Sequence, residues 1–230
     1  MEKYTNLVII GSSHIAAESI KEVKKAVKEE NPDIIALELD KKRYYALLSK
    51  KKSKFSFSDI RRVGLKGFIF AVIGAWAEKK LGEYVGISPG AEMITAIRLA
   101  KENKKQIAFI DQDIEITLRR FSDELTWKEK WSFVVDIIKA PFEKKKIRFD
   151  LRTVPSKKII KELIEQVKHR YPNVYKVLID ERNKIMAANL SKLIASHPDK
   201  KIVAVVGAGH EEEIMGMVKQ PKISYSYSYG

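Results

Sequence analysis

Short β-branched runs that end at glycine or proline alternate along this chain with stretches whose apolar residues recur every three or four positions. Residues 5 to 10 (TNLVII) read as a buried strand ended by Gly11. From His14 to Glu30 the apolar positions Ile15, Ile20, Val23 and Val27 share one face opposite Lys and Glu, which predicts a helix closed by Asn31 and Pro32. Residues 33 to 39 (DIIALEL) form the next β-branched run. Strand, helix and strand with so long a crossover make a parallel pair.

The pattern continues with a basic, helical stretch at 40 to 62 and the most apolar stretch of the chain at 65 to 77, which includes GFIFAVIGAWA. Those eleven residues fall short of the roughly 20 a bilayer span needs and read as a buried helix or a lid. Pro89 and Gly90 open a helix over 91 to 103, which feeds a strand at 107 to 110 and a helix from about 114. Residues 122 to 150 place Trp127, Trp131, Phe133 and Phe142 among lysines without a clear period. Helices at 156 to 170 and 174 to 194, a strand at 202 to 206 and a helix at 211 to 218 follow, and SYSYSY at 224 to 229 alternates as an edge strand does. The expected architecture is one α/β domain over residues 1 to 230, with a largely parallel sheet of about four to six strands and flanking helices. It has two related halves, each with a strand-GxxH-helix unit, around a helical and mobile insertion at about 114 to 198.

The related halves rest on a repeat. VIIGSSH at 8 to 14 returns as AVVGAGH at 204 to 210, so His14 and His210, two of the four histidines, stand in one setting. In each copy the glycine lets the backbone reverse between a strand and a helix, at the strand's carboxyl end where ligand clefts of α/β sheets form. If the two strands are neighbours, both imidazoles reach one cleft. Other strands end on acids at the same margin: Glu38 with Asp40, and Asp111 with Asp113. Glu92 begins a helix, where the dipole favours a carboxylate. Imidazoles with carboxylates suit Mn, Fe, Co or Zn, and a carboxylate outside the ligand set could take a proton from a bound water. Asp111 and Asp113 also suit helix capping. Arg182, on a helix with Ile185, Met186 and Leu190 on its apolar face, suits either an ion pair with an acid or contact with a substrate carboxylate or oxyanion.

Composition narrows the chemistry. With no cysteine, disulfides, thiolate ligands and cysteine nucleophiles are excluded. A secretory signal is not evident in residues 1 to 6, which gives a cytoplasmic expectation. The net charge of +14 lies in runs such as Lys50 to Lys52 and Lys144 to Lys146, without a zinc-finger, KH or RRM signature, so solvated helix faces or an anionic membrane surface account for it better than nucleic acid. Neither glycine turn carries GxGxxG or a Walker lysine, and no GxSxG elbow is present.

The GSSH and GAGH turns, ELD at 38 to 40, PGAEM at 89 to 93, IDQDIEITLRR at 110 to 120, and ERN with MAANL at 181 to 190, in that order, resemble the TraB/PrgY family, related to the TIKI proteases. The resemblance runs over essentially the whole chain. It implies the fold shared with erythromycin esterase and ChaN-like proteins, and a metal-dependent hydrolytic centre built from two GxxH motifs and an acid. Carried over, it puts His14, His210 and Glu38 at a divalent metal, Mn or Co before Zn, with Glu92 and Arg182 as supporting site residues. Gln112 stands where relatives often have Arg, and Asn183 where Asp is common, so the grip on substrate differs. Many relatives continue into hydrophobic C-terminal segments, so membrane association is expected if the native chain runs beyond Gly230.

Together these features give a metal-dependent, peptidase-like hydrolase acting on peptides or small amide or ester substrates. His14, Glu38 and His210 hold the metal, Glu92 is the general base, and Arg182 contacts substrate or oxyanion. Asp40, Asp111, Asp113 and Asn183 line the substrate side. The alternative is a noncatalytic protein that sequesters a peptide or anion in the same cleft, as a monomer or an oligomer, at a membrane surface or away from one.

Overall fold

The computed structural model describes residues 1–12, 17–49, 90–126, 129, 131–132, 135–136 and 156–220. His14, the apolar run at 65 to 77, most of 122 to 155 and the SYSYSY stretch lie outside the described residues.

Five strands form one sheet: β1 (Glu2–Tyr4), β2 (Leu7–Ser12), β3 (Ile34–Leu37), β4 (Gln106–Phe109) and β5 (Ile202–Gly207), in the spatial order β1-β2-β5-β3-β4. All neighbours are parallel except β1, which turns back on β2 through Thr5 and Asn6. Thr5 takes a positive φ of 49° there, uncommon for a β-branched residue and imposed by so short a connection. β1 was not legible as a strand because it pairs on one side only, so its residues carry no buried run. β5 lies between β2 and β3 and is buried along its whole length, hence its unbroken apolar sequence IVAVVG.

Strand periodicity assigns alternate side chains to two cores. Leu7, Ile9, Ile34, Ala204 and Val206 face Met186, Ala187 and Leu190 of α7 (Glu181–Ser196) and Ile214 and Met215 of α8 (Glu211–Lys219). Val8, Ile10, Ile35, Leu37 and Val205 face Val23 and Ala26 of α1 (Ala17–Glu30) and Met93, Ala96 and Ile97 of α3 (Ala91–Glu102). Helices thus cover both faces, the arrangement a parallel sheet requires. A third cluster, Phe121, Leu125, Tyr171, Val174 and Val177, joins α4 (Ile114–Glu124) to the segment that leads into α7.

That segment departs from the expected helix over 174 to 194. α6 (Pro172–Tyr175) passes into a π-helical stretch, Lys176–Asp180, before α7 begins, and the Glu181 N–H bonds the Lys176 carbonyl five residues back. Wider turns of this kind are rare and concentrate at functional sites. The remaining elements, α2 (Lys41–Leu48) and α5 (Lys157–Arg170), start at Asp40 and Ser156, whose side chains accept backbone N–H groups as N-caps. Among the described residues, no helix is long and apolar enough to cross a membrane.

Candidate functional site

The carboxyl ends of β3, β4 and β5 meet α7 at one margin of the sheet, and four charged or titratable side chains converge there. Glu38 follows β3 directly, Asp111 lies two residues past β4, His210 three past β5, and Arg182 sits in the first turn of α7. Their side chains are 3%, 2%, 11% and 14% exposed, so each charge depends on protein partners.

Arg182 links the group. Its Nη2 donates to Glu38 Oε1 and to Asp111 Oδ2 at 2.8 Å, its Nε to Asp111 Oδ1 at 3.2 Å, and its Nη1 to the Leu178 carbonyl of the π stretch at 3.2 Å. Burial alone would lower the guanidinium's pKa, but the adjacent charges of Glu38 and Asp111 outweigh it and hold the pKa above the usual value. Arg182 is therefore a permanent cation. Asp111 also accepts from Arg43 Nη1 at 3.2 Å and, through Oδ1, from the Gln112 N–H at 2.8 Å. The other Glu38 oxygen, Oε2, accepts the backbone N–H of Gly207 at 2.5 Å. A Cβ on Gly207 would stand 3.3 Å from that oxygen and from His210 Cδ2, so the turn glycine keeps room for both groups.

His210 is set from behind. Its Nδ1 lies 2.5 Å from Asn183 Oδ1, and Asn183 Nδ2 donates to Glu213 Oε2 at 2.6 Å. Tyr175 donates its hydroxyl to Glu213 Oε1 at 3.0 Å. Because Glu213 takes the Asn183 amino group, Oδ1 must face the histidine, and the chain of bonds assigns the proton to Nδ1. The lone pair of Nε2 then points into the cluster, 3.5 Å from Glu38 Oε1 and 3.4 Å from Arg182 Nη1.

The π stretch explains why Tyr175 and Asn183 reach the same carboxylate. Eight residues of regular α-helix would leave them roughly 80° out of phase, and one residue absorbed by the wider turn brings them within roughly 20°.

The TraB/PrgY/gumN family model matches residues 2–223. The chain belongs to the TraB/PrgY/gumN family. It is similar to an uncharacterized protein of Methanocaldococcus jannaschii, 37% identical over 217 residues that make up 94% of this chain and 54% of that protein. It is also similar to TraB domain-containing proteins of Mus musculus and Homo sapiens, each 21% identical over 235 residues, 91% of this chain and 61% of theirs. This TraB-family chain thus spans about half to three fifths of the length of these curated relatives.

Of the residues singled out in the sequence, Glu38, Asp111, Arg182 and His210 come together, and Asn183 lies fully buried behind His210. Asp113 caps α4 by accepting from the Glu115 N–H. Asp40 caps α2 through the N–H groups of Lys42 and Arg43 and accepts from the Ile114 N–H at 3.3 Å, so it ties two loops of the margin together. Glu92 is buried in the first turn of α3. His14 lies outside the described residues, but β2 and β5 are adjacent and parallel, with Ser12 opposite Gly207. Sequence reasoning missed Arg43, Tyr175, Glu213 and the Gly207 amide. Only Glu213 left a signal, its spacing of three residues from His210 on one helix face.

Proposed function

We propose that this TraB-family chain is a metal-dependent hydrolase, peptidase-like in its substrates, centred on His210 and Glu38. The observation that carries the reading is the setting of His210: its Nδ1 is held by Asn183, which Glu213 orients, and its Nε2 lies 3.5 Å from a carboxylate oxygen. A hydrogen bond that fixes the distal ring nitrogen is the usual support of a metal-binding imidazole. Two ligands of one tetrahedral ion stand roughly 3.4 Å apart when each bond is about 2.1 Å, so the donor pair fits a divalent cation.

Among the described residues no group of three such donors is found, and the third ligand falls to His14, the matching position of the other GxxH turn. The two strand-GxxH-helix units would then act as related halves, as in the TIKI-like reading of the motifs. A bound Mn or Co would supply Lewis acidity and a water of lowered pKa. The chain's own groups do the rest. Asn183 and Glu213 orient His210, and the Gly207 N–H holds Glu38 in place. Arg182, anchored on Asp111 by two N–H groups, releases Glu38 and offers its remaining donors to a carbonyl oxygen or its developing charge. Glu92, in the first turn of α3, is the candidate proton acceptor.

Isothermal titration with Mn and Co, with mass spectrometry of a peptide library incubated with each metal, tests the reading. The expected result is one ion per chain and metal-dependent cleavage, with uptake lost in His14→Ala and His210→Ala while both metal-free variants still unfold cooperatively. Uptake that persists in both variants, or peptide binding without cleavage under every metal, overturns it, and the second outcome makes the protein a sequestering one.

A further inference from the structure

A second carboxylate occupies the sheet margin on the far side of the GAGH turn. Glu211 follows His210, opens α8, and is 7% exposed, yet its Oε1 has no hydrogen-bond partner among the described residues. Among the described residues its nearest cations are the Met1 ammonium at 3.5 Å and Lys157 Nζ at 3.9 Å, and that lysine is already engaged with Glu2 at 2.6 Å. The carboxylate is therefore ion-paired but accepts no hydrogen bond at Oε1, which leaves that oxygen able to take a donor. Its other oxygen is packed against the first motif: a Cβ on Gly11 would stand 2.5 Å from Glu211 Oε2. Each turn glycine therefore makes room for one carboxylate, Gly207 for Glu38 and Gly11 for Glu211.

Glu211 lines a cleft of about 270 Å³ between α5 and the β5–α8 turn, beside the backbone of Ala208 and Gly209. The cleft's charged walls are Glu165, Glu211, Glu212 and Glu213 against Lys157 and Lys161. In a chain of net charge +14 this is a locally negative surface. The same field is felt on α1, where burial and the charges of Glu18 and Glu211 push the Glu22 carboxyl above its usual range. Ile160 and Ile164 add an apolar wall, so the cleft pairs a cation-seeking end with a surface for carbon.

We infer that this cleft is a subsite for a primary ammonium group of the ligand, received by Glu211 Oε1 next to the His210 turn. The inference deepens the hydrolase reading by naming a substrate class, peptides or amines that carry a free ammonium, and it rests on that reading only for the chemistry after binding. The ammonium can be an α-amine or a lysine side chain, and both present the same three donors to the carboxylate.

Three short peptides of one otherwise uncharged sequence distinguish these sources: one with a free amino terminus, one N-acetylated, and one N-acetylated with a single lysine. Each is titrated into the full chain with EDTA present, and the amide NMR shifts of Gly209, Glu211 and Glu212 are followed. The expected result is binding of the free-amine peptide about tenfold or more tighter than the acetylated one, with shifts at those residues. Recovery of affinity by the lysine peptide assigns a side-chain ammonium, and its absence assigns an α-amine. Glu211→Gln is expected to reduce the difference to less than about twofold with an unchanged circular dichroism spectrum. Should that variant fail to fold, Glu212→Gln, on the same wall, is expected to weaken free-amine binding. Equal affinity for free and acetylated peptides, shifts that map elsewhere, or no binding by any peptide overturns the inference. Because no metal is present, retained discrimination in His210→Ala separates this result from the fate of the hydrolase reading.

Discussion

The Nδ1 of His210 and the Oδ1 of Asn183 are 2.5 Å apart, and the amide is held the right way round by Glu213. Asn183→Ala removes the acceptor for Nδ1–H and one donor for Glu213 together, leaving the buried His210 nitrogen and one oxygen of half-buried Glu213 to be met by water or not at all. Each such loss costs about 1–3 kcal/mol. The larger effect is expected on His210 itself. Long-range nitrogen-proton NMR should show the Nδ1–H tautomer in the native chain and a mixture in the variant. Metal affinity, by titration with Mn, should fall about 10–100-fold. An unchanged tautomer in the variant would detach Asn183 from the histidine.

Arg182 is the cation on which two buried carboxylates depend. Arg182→Ala leaves Glu38 and Asp111 facing each other across an emptied site, and breaking a buried pair in this way costs about 3–5 kcal/mol. Arg43 remains on Asp111 and limits the damage on that side. Arg182→Lys should recover less than half of the loss, because one ammonium cannot meet Glu38, Asp111 and the Leu178 carbonyl at once. Denaturant midpoints of the three proteins at neutral pH check both statements.

The margin of the sheet was legible in the sequence and its interior wiring was not, for a physical reason. Glu38 and His210 could be placed because a residue that directly follows a buried β-branched run must emerge at a strand's carboxyl end. The helix at 91 was legible from Pro89 and Gly90, and the capping role of Asp113 from its position just before a helix, whereas Asp40 was read as a substrate-side residue and proves to be a cap. Tyr175, Asn183 and Glu213 meet only because one helical turn is widened, and a widened turn carries no sequence period of its own. Glu211 is one of three consecutive acids in the first turn of α8, and nothing in that run marks the one that is buried against Gly11. β1 escaped because an edge strand needs no alternating apolar face when a neighbour covers one side only.

Glycines of similar appearance should respond in opposite directions. At Gly11 a methyl group would meet Glu211 Oε2 at 2.5 Å and the backbone Cα of Ala208 at 3.1 Å, and the backbone cannot yield. Gly11→Ala is expected to destabilise by about 1–3 kcal/mol, the usual range for overpacking. At Gly216, inside α8, nothing lies within 4 Å of the added carbon. Gly216→Ala should stabilise by roughly 0.5–1 kcal/mol, by helix propensity and reduced freedom of the unfolded chain. Thermal melts of the two variants beside the parent separate the cases.

Tyr175, at the outer end of the Glu213 chain, offers a test at alkaline pH of whether its hydroxyl is buried against that carboxylate. Burial first, and then the hydrogen bond to Glu213, push its hydroxyl from an ordinary value of 10.0 up to about 12. The fold thus prefers the protonated phenol more strongly than the unfolded chain does. A group raised in this way stabilises fully below its unfolded value, and the contribution is lost as pH rises through the folded one. Between about pH 10 and pH 12 the unfolded state releases the proton while the folded state still holds it, so stability falls. Tyr175→Phe has no proton to lose and should lack this part of the slope. Urea midpoints measured at half-unit steps from about pH 8.5 to about pH 12 should therefore show the native chain's advantage over Tyr175→Phe shrinking across that window, with lysine titration common to both. Parallel curves would mean that the hydroxyl is not held by Glu213, and the orientation of Asn183 and His210 would lose its outermost support.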